Sequence, residues 1–209
     1  MLSLEEYLQD PCGKLSIPFW KAKIYPMPKD MMVVHTRDLS HINMDNYTDQ
    51  KFFRLYHSME KTEYSVPHGF KIITTSPDTI EDMVSIINRS YLDLTVSREQ
   101  LIRYTQMPAY HPGLWILLLD TTSMRFAGCG IADFDNEAKE LSLEWIQVLP
   151  EYRRQKIGWT IVSELLHRMR ETANFATVSG KMDTPANPEA FYRACHFTGR
   201  DIWHVLHAK

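Results

Sequence analysis

One stretch limits the folds open to this chain more than any other: Leu143-Glu144-Trp145-Ile146-Gln147-Val148-Leu149-Pro150-Glu151-Tyr152-Arg153-Arg154-Gln155-Lys156-Ile157-Gly158, which runs straight into an amphipathic helix. It reads as a strand, a basic turn and a helix start, with Ile161, Val162, Leu165, Leu166 and Met169 following at the spacing of a core-facing stripe. The first turn of a helix leaves backbone N–H groups without intrahelical partners and carries partial positive charge. A turn that enters a helix with Arg153, Arg154 and Lys156 is therefore a cradle for a pyrophosphate, and the expected ligand bears phosphate. Taken alone, such cations are more often a solvated basic patch; Pro150, Gly158 and the helix start favour the cradle.

Around this stretch the pattern is mixed α/β. Phe70 to Thr74 reads as a short strand, Thr74 to Asp78 as a helix-start signal, and Ile80, Met83, Val84 and Ile87 as the apolar face of the helix that follows. Ser97 to Tyr104 suggests a second helix capped by Ser97, with Glu99 close behind. Three strands follow, Trp115 to Leu119, Arg125 to Phe134 and Leu141 to Val148, joined by polar turns. After the helix beyond Gly158 come a strand at Phe175 to Val178, a short helix at Glu189 to Cys195 and a last strand at Ile202 to Leu206. Residues 1–69 differ in texture. Pro11, Pro18, Pro26 and Pro28 disfavour long helices there, leaving a helix near Leu4 to Leu8 and strands around Met32 to His35 and Phe52 to His57.

The two-part pattern bears a resemblance to a known family. The run from Val148 through Pro150, Tyr152, Arg153 and Gly158 resembles the acetyl-CoA signature of the GNAT (GCN5-related) N-acetyltransferases, with Arg153 at the Gln/Arg position and Gly158 at the final glycine. Lys156 stands where the first glycine is usual. A residue with a Cβ tolerates positive φ poorly there, yet its ammonium adds a cation to the site. Downstream, Asn187-Pro188-Glu189-Ala190-Phe191-Tyr192-Arg193-Ala194-Cys195-His196-Phe197 is similar to the family's closing segment, with Tyr192 and Phe197 at the family spacing and His196 in place of the usual glycine.

The resemblance implies the GNAT acyl-CoA N-acyltransferase fold, an α/β class whose mixed central sheet splays between its fourth and fifth strands to admit the cofactor. It implies a GNAT domain over residues 70–209, and the proline and aromatic content of residues 1–69 suggests an N-terminal extension packed on it, serving as a lid over the acceptor site or as a homodimer contact. It also implies acetyl-CoA as co-substrate. Backbone groups of Ile146, Gln147 and Val148 would pair with the pantetheine arm. Arg153, Arg154 and Lys156 would meet the phosphates, Gln155, Ile157, Gly158 and Trp159 would supply backbone N–H groups, and Asn187 would also bind the cofactor. Tyr192 matches the family's general acid to the departing thiolate; a phenol, with an ordinary pKa near ~10, is protonated at neutral pH and can donate. Its structural alternative is a tyrosine that closes the last helix on the core.

Glu144 is the candidate base that receives the proton of the acceptor ammonium. It lies mid-strand, where burial on both faces is expected and a carboxylate is costly unless paired. A structural carboxylate bound to Arg or to backbone N–H is the equal alternative, and Glu140, nearer the turn, is the weaker candidate.

Composition bounds the remaining classes. A net charge of −3 over 209 residues argues against a general binder of nucleic acid or of anionic membranes. Cys12, Cys129 and Cys195 are an odd count without CxxC spacing, which suits reduced thiols in the cytoplasm, and no apolar run approaches membrane-spanning length. Nine histidines without a His-x-x-x-His pair or a Cys/His cluster point to no metal site. The expected activity is transfer of an acetyl group from acetyl-CoA directly to a primary amine of a small molecule or peptide, with Thr79 to His111 shaping the acceptor site. The alternative is a catalytically inactive acyl-CoA-binding sensor or interaction module on the same fold.

Overall fold

The computed structural model describes residues 2–28, 30–61, 63–90 and 94–209. In chain order its first elements are α1 (Leu4–Gln9), α2 (Pro11–Lys14), α3 (Phe19–Ile24), β1 (Met31–His35), β2 (Tyr47–His57), β3 (Phe70–Thr74) and α4 (Ile80–Ser90). There follow α5 (Arg98–Tyr104), β4 (Trp115–Asp120), β5 (Arg125–Asp135) and β6 (Glu140–Val148). The last are α6 (Ile157–Met169), β7 (Phe175–Lys181), α7 (Pro188–Ala194) and β8 (Thr198–Ala208). Among the described residues no helix is long and apolar enough to cross a membrane.

The chain groups into two compact units, residues 59–174 and residues 1–58 together with 175–209. This grouping differs from the expected division at residue 69. The first strands of the chain are not laid on a finished domain: β2 pairs antiparallel with β7 along one edge and with β8 along the other, and β1 pairs with β8. Strand partners so far apart in sequence are chosen by side-chain packing across the sheet, which local periodicity does not report.

In the unit of residues 59–174, β3, β4, β5 and β6 form an antiparallel meander, with Ile73 opposite Leu117, Leu117 opposite Cys129 and Cys129 opposite Gln147. The apolar stripe of α4 packs on one face of it. Ile80, Met83, Ile86 and Ile87, with Val96 and Leu101, close a core over Trp115, Leu117, Cys129 and Ile131. Ser97 caps α5 through a reciprocal box with Gln100: the Ser97 hydroxyl accepts from the Gln100 N–H at 3.2 Å, and the Gln100 side chain accepts from the Ser97 N–H at 2.7 Å. The expected partner, Glu99, is one residue early, because the box closes on the third helical position. The segment Thr79 to His111 therefore contains α4 and α5; its residues 91–93 lie outside the described residues.

On the opposite face α6 approaches β5 closely because two glycines face it. A Cβ on Gly130 would sit 2.4 Å from Ile161 Cγ2 and 3.2 Å from Leu165 Cδ1, and one on Gly128 would sit 3.1 Å from Ile161 Cδ1 and 2.6 Å from the Gln147 carbonyl oxygen. Only a residue without a side chain lets the helix axis come this near. The glycine alternation in β5 thus sets where the N-terminus of α6 is held.

The unit of residues 1–58 and 175–209 is built around a buried cation. Arg54, 1% exposed, donates from Nη2 to Tyr7 Oη at 3.1 Å and to Thr177 Oγ1 at 3.2 Å, from Nη1 to Ser179 Oγ at 3.1 Å and from Nε to the Pro11 carbonyl at 3.4 Å. The guanidinium thus links α1 and α2 to β7. Trp203 on β8 donates to the Cys12 carbonyl at 2.7 Å and fixes α2 from a second strand.

Candidate active site

The strand–turn–helix that opened the sequence reading is present at the expected residues. β6 ends at Val148, a single 3-10 turn spans Pro150–Tyr152, and α6 begins at Ile157. The turn is closed by Tyr152 N–H donating to the Leu149 carbonyl at 2.9 Å and Arg153 N–H donating to the Pro150 carbonyl at 3.2 Å. Between it and α6 the backbone enters the left-handed region twice, at Arg154 (φ 67°) and at Lys156 (φ 61°). Lys156 is the N-cap of α6 and offers no side-chain cap, so the first N–H groups of a 13-residue helix have no side-chain acceptor from that residue. Arg153, Arg154, Gln155 and Lys156 are exposed around this terminus. Uncapped N–H groups at a helix N-terminus that three cations precede in the chain fit a pyrophosphate, although Arg153 donates from Nε to the Val148 carbonyl at 3.3 Å.

Lys156 adopts the glycine-like conformation despite its Cβ, and so does Arg154. Each left-handed non-glycine residue costs roughly 1–2 kcal/mol, so the surroundings must hold the loop. Two anchors do. Glu151 accepts from Arg89 of α4 at 2.8 Å, and the Tyr152 hydroxyl donates to Asp120 Oδ2 at 3.2 Å in the β4–β5 turn. The Asp120 carboxyl lies below its ordinary range, held there first by the Ser123 hydroxyl and next by the Thr122 N–H. At the far end the Lys156 carbonyl accepts from the Thr160 N–H at 2.9 Å and from the Thr160 hydroxyl at 3.1 Å. The sequence reading passed over Arg89, Asp120, Gly128 and Gly130. Of these only the glycine alternation carries a local signal.

Glu144 differs from the expectation. Ile131 pairs with Trp145 and Ala132 with Leu143, so Glu144 is the extra residue of a β-bulge and is half-buried rather than enclosed on both faces. A bulge takes one residue out of the pairing and re-aims its side chain. The fully buried carboxylate of this strand is Glu140, at 0% exposure, which the sequence reading ranked lower for its nearness to a turn. Ile146, Gln147 and Val148 follow the bulge and pair with Gly130, Cys129 and Gly128. Residues 144–148 and 153–159 are therefore brought together in one unit.

Tyr192 and Asn187 belong to the other unit. Asn187, at φ 42°, is the N-cap of α7, its side-chain oxygen accepting from the Ala190 N–H at 3.4 Å, which gives that oxygen a helix-capping role. Tyr192 is 9% exposed, its ring 6.2 Å from that of Phe53 and 5.8 Å from that of Phe197. Past α7, Phe197 N–H donates to the Tyr192 carbonyl at 3.1 Å and His196 N–H to the Arg193 carbonyl at 3.0 Å, with His196 at φ 67°. This pair of bonds is a Schellman cap. The preference for glycine at position 196 and the Phe five residues after the Tyr have one cause: the left-handed residue ends the helix, and Phe197 then packs on Tyr192.

Comparison with known proteins agrees with this fold. The model described as the Acetyltransferase (GNAT) family matches residues 80–197, more than half of the chain. A GCN5-related N-acetyltransferase from Sphaerobacter thermophilus superposes with a TM-score of 0.69 at 15% identity, over 86% of this chain and 58% of that one. Ard1 from Thermoplasma volcanium does so at 0.55 and 14%, over 67% of this chain and 97% of that one. For the ribosomal-protein-S18-alanine N-acetyltransferase from Escherichia coli the values are 0.52 and 18%, over 66% and 91%. The chain spans a little over half of the Sphaerobacter protein, and at these identities the likenesses establish fold alone. No curated protein sequence matches the chain. The fold and the ordered pair of segments, from the bulged strand to the capped tyrosine helix, place this chain in the GNAT acetyltransferase family.

Proposed function

We propose that this protein transfers the acetyl group of acetyl-CoA directly to a primary amine of a small molecule or peptide. The observation that carries the reading is the loop from Val148 to Ile157, in which the exposed Arg153, Arg154 and Lys156 lead into the N-terminus of α6 and Lys156 supplies it no side-chain cap. Bound there, acetyl-CoA supplies an activated acyl carbon. The chain's part is to hold the phosphates on the loop, to take a proton from the acceptor ammonium at the Glu144 carboxylate, and to give one to the leaving sulfur from the Tyr192 hydroxyl. The amine nitrogen forms the new C–N bond as the C–S bond breaks, so no acyl-enzyme is needed. Partner identity and a cytoplasmic location belong to the same reading.

An inactive acyl-CoA-binding module is the second reading, favoured by Lys156 and His196 standing at two glycine positions. Both residues occupy the left-handed region that glycine would adopt, which weighs for a retained site. Calorimetric titration with acetyl-CoA, CoA and desulfo-CoA, followed by thiol release against pooled amines, separates the two. Binding with turnover that Tyr192→Phe abolishes while sparing CoA affinity supports the transferase. Binding without turnover on any amine supports the module, and absence of binding sinks both.

A further inference from the structure

The loop of residues 153–156 holds two left-handed non-glycine residues, and the Tyr152 phenol at its start connects it to the β4–β5 turn. Tyr152 closes the 3-10 turn that precedes the loop, so its backbone position sets where Arg153 begins. Its hydroxyl lies 3.2 Å from Asp120 Oδ2 and 3.1 Å from Ser123 Oγ. Asp120 is itself prepared for this contact: Oδ1 accepts from the Thr122 N–H at 2.9 Å and Oδ2 from the Ser123 hydroxyl at 2.7 Å, so the carboxylate is fixed in one orientation by its own turn. Phe70 on β3 packs edge-on against the Tyr152 ring at 6.3 Å.

We propose that Asp120 is a positioning residue that, through the Tyr152 hydroxyl, holds Arg154 and Lys156 in their left-handed conformation and so keeps the N-terminus of α6 open for the phosphates of the ligand. The anchor does from outside the loop what glycine at 154 and 156 would do from within. The effect on affinity rests on the reading of this loop as the pyrophosphate site; the effect on loop conformation stands without it.

The test uses the full chain. Tyr152→Phe removes the donor of the contact, Asp120→Asn replaces its charged acceptor by a neutral amide, and Lys156→Gly relieves the conformation that the contact sustains. The first readout is amide hydrogen exchange at Thr160 in the ligand-free protein, because its acceptor is the Lys156 carbonyl and it frays when the loop changes. The second is the Kd for CoA. We expect Tyr152→Phe and Asp120→Asn to speed Thr160 exchange and to raise Kd by roughly three- to tenfold, the range for one lost hydrogen bond, with the global melting temperature held. Adding Lys156→Gly should shrink both effects, which a purely structural role would not produce. Unchanged exchange in both single variants, or equal effects with and without Lys156→Gly, overturns the proposal. If the wild type does not bind CoA, the functional reading fails while the exchange comparison still decides the anchor.

Discussion

Gly130→Ala tests the packing that holds α6, and with it the position of the candidate phosphate site. The added Cβ would lie 2.4 Å from Ile161 Cγ2, 3.2 Å from Leu165 Cδ1 and 3.3 Å from Ile116 Cγ1. Ordinary carbon–carbon contact is ~3.5–4.0 Å, so the helix or the sheet must yield by roughly 1.1–1.6 Å at its tightest point. All three neighbours are at 0% exposure and have no solvent side into which to turn. Overpacking of this kind costs about 1–3 kcal/mol, and replacing a strand glycine returns roughly 0.5–1 kcal/mol through the unfolded chain. The net expectation is a loss of about 1–2 kcal/mol, or ~2–8 °C in Tm for a chain of this length. Thermal and urea melts measure it. Ile161→Ala in the same background removes Cγ2 and should cost less there than in the wild type, a coupling of opposite sign to simple addition. An unchanged or raised Tm for Gly130→Ala would refute the close approach of α6 to β5.

Other outcomes follow from the same geometry. His196→Gly should stabilise by up to about 1 kcal/mol in a denaturant melt, because the residue sits at φ 67° in the Schellman cap of α7. Arg54→Ala withdraws the donor shared by Tyr7, Thr177, Ser179 and the Pro11 carbonyl and should cost about 3 kcal/mol or more, seen as a lowered urea midpoint. Burial pushes the Cys195 thiol up to about 12 and the Cys129 thiol further still. Both should resist a thiol reagent at pH 8 until the protein unfolds. The sign follows from the raised values: the unfolded thiols ionise first, near 9.0, so their contribution to stability is intact below that pH and is lost as pH rises toward the folded values.

Much of the candidate site was legible because its signals are local. The basic run, the helix stripe after it and the Tyr–Phe spacing each depend on residues within a turn or two of one another, and helix periodicity, capping and turn chemistry act at that range. Among the described residues all eight strands arose where the sequence pattern placed them, although β2, β7 and β8 run longer than the pattern suggested. By itself the sequence determined the order of the strands and of every helix but α2 and α3, the loop with its cations and the family. Tertiary structure alone decided that residues 1–58 complete a sheet with β7 and β8, that Glu144 falls on a bulge while Glu140 is enclosed, and that Asp120 and Arg89 hold the loop. Those outcomes turn on strand register and on contacts between residues far apart in the chain, and such contacts are selected by packing and hydrogen-bond satisfaction across the whole core, for which no short window of sequence carries the terms.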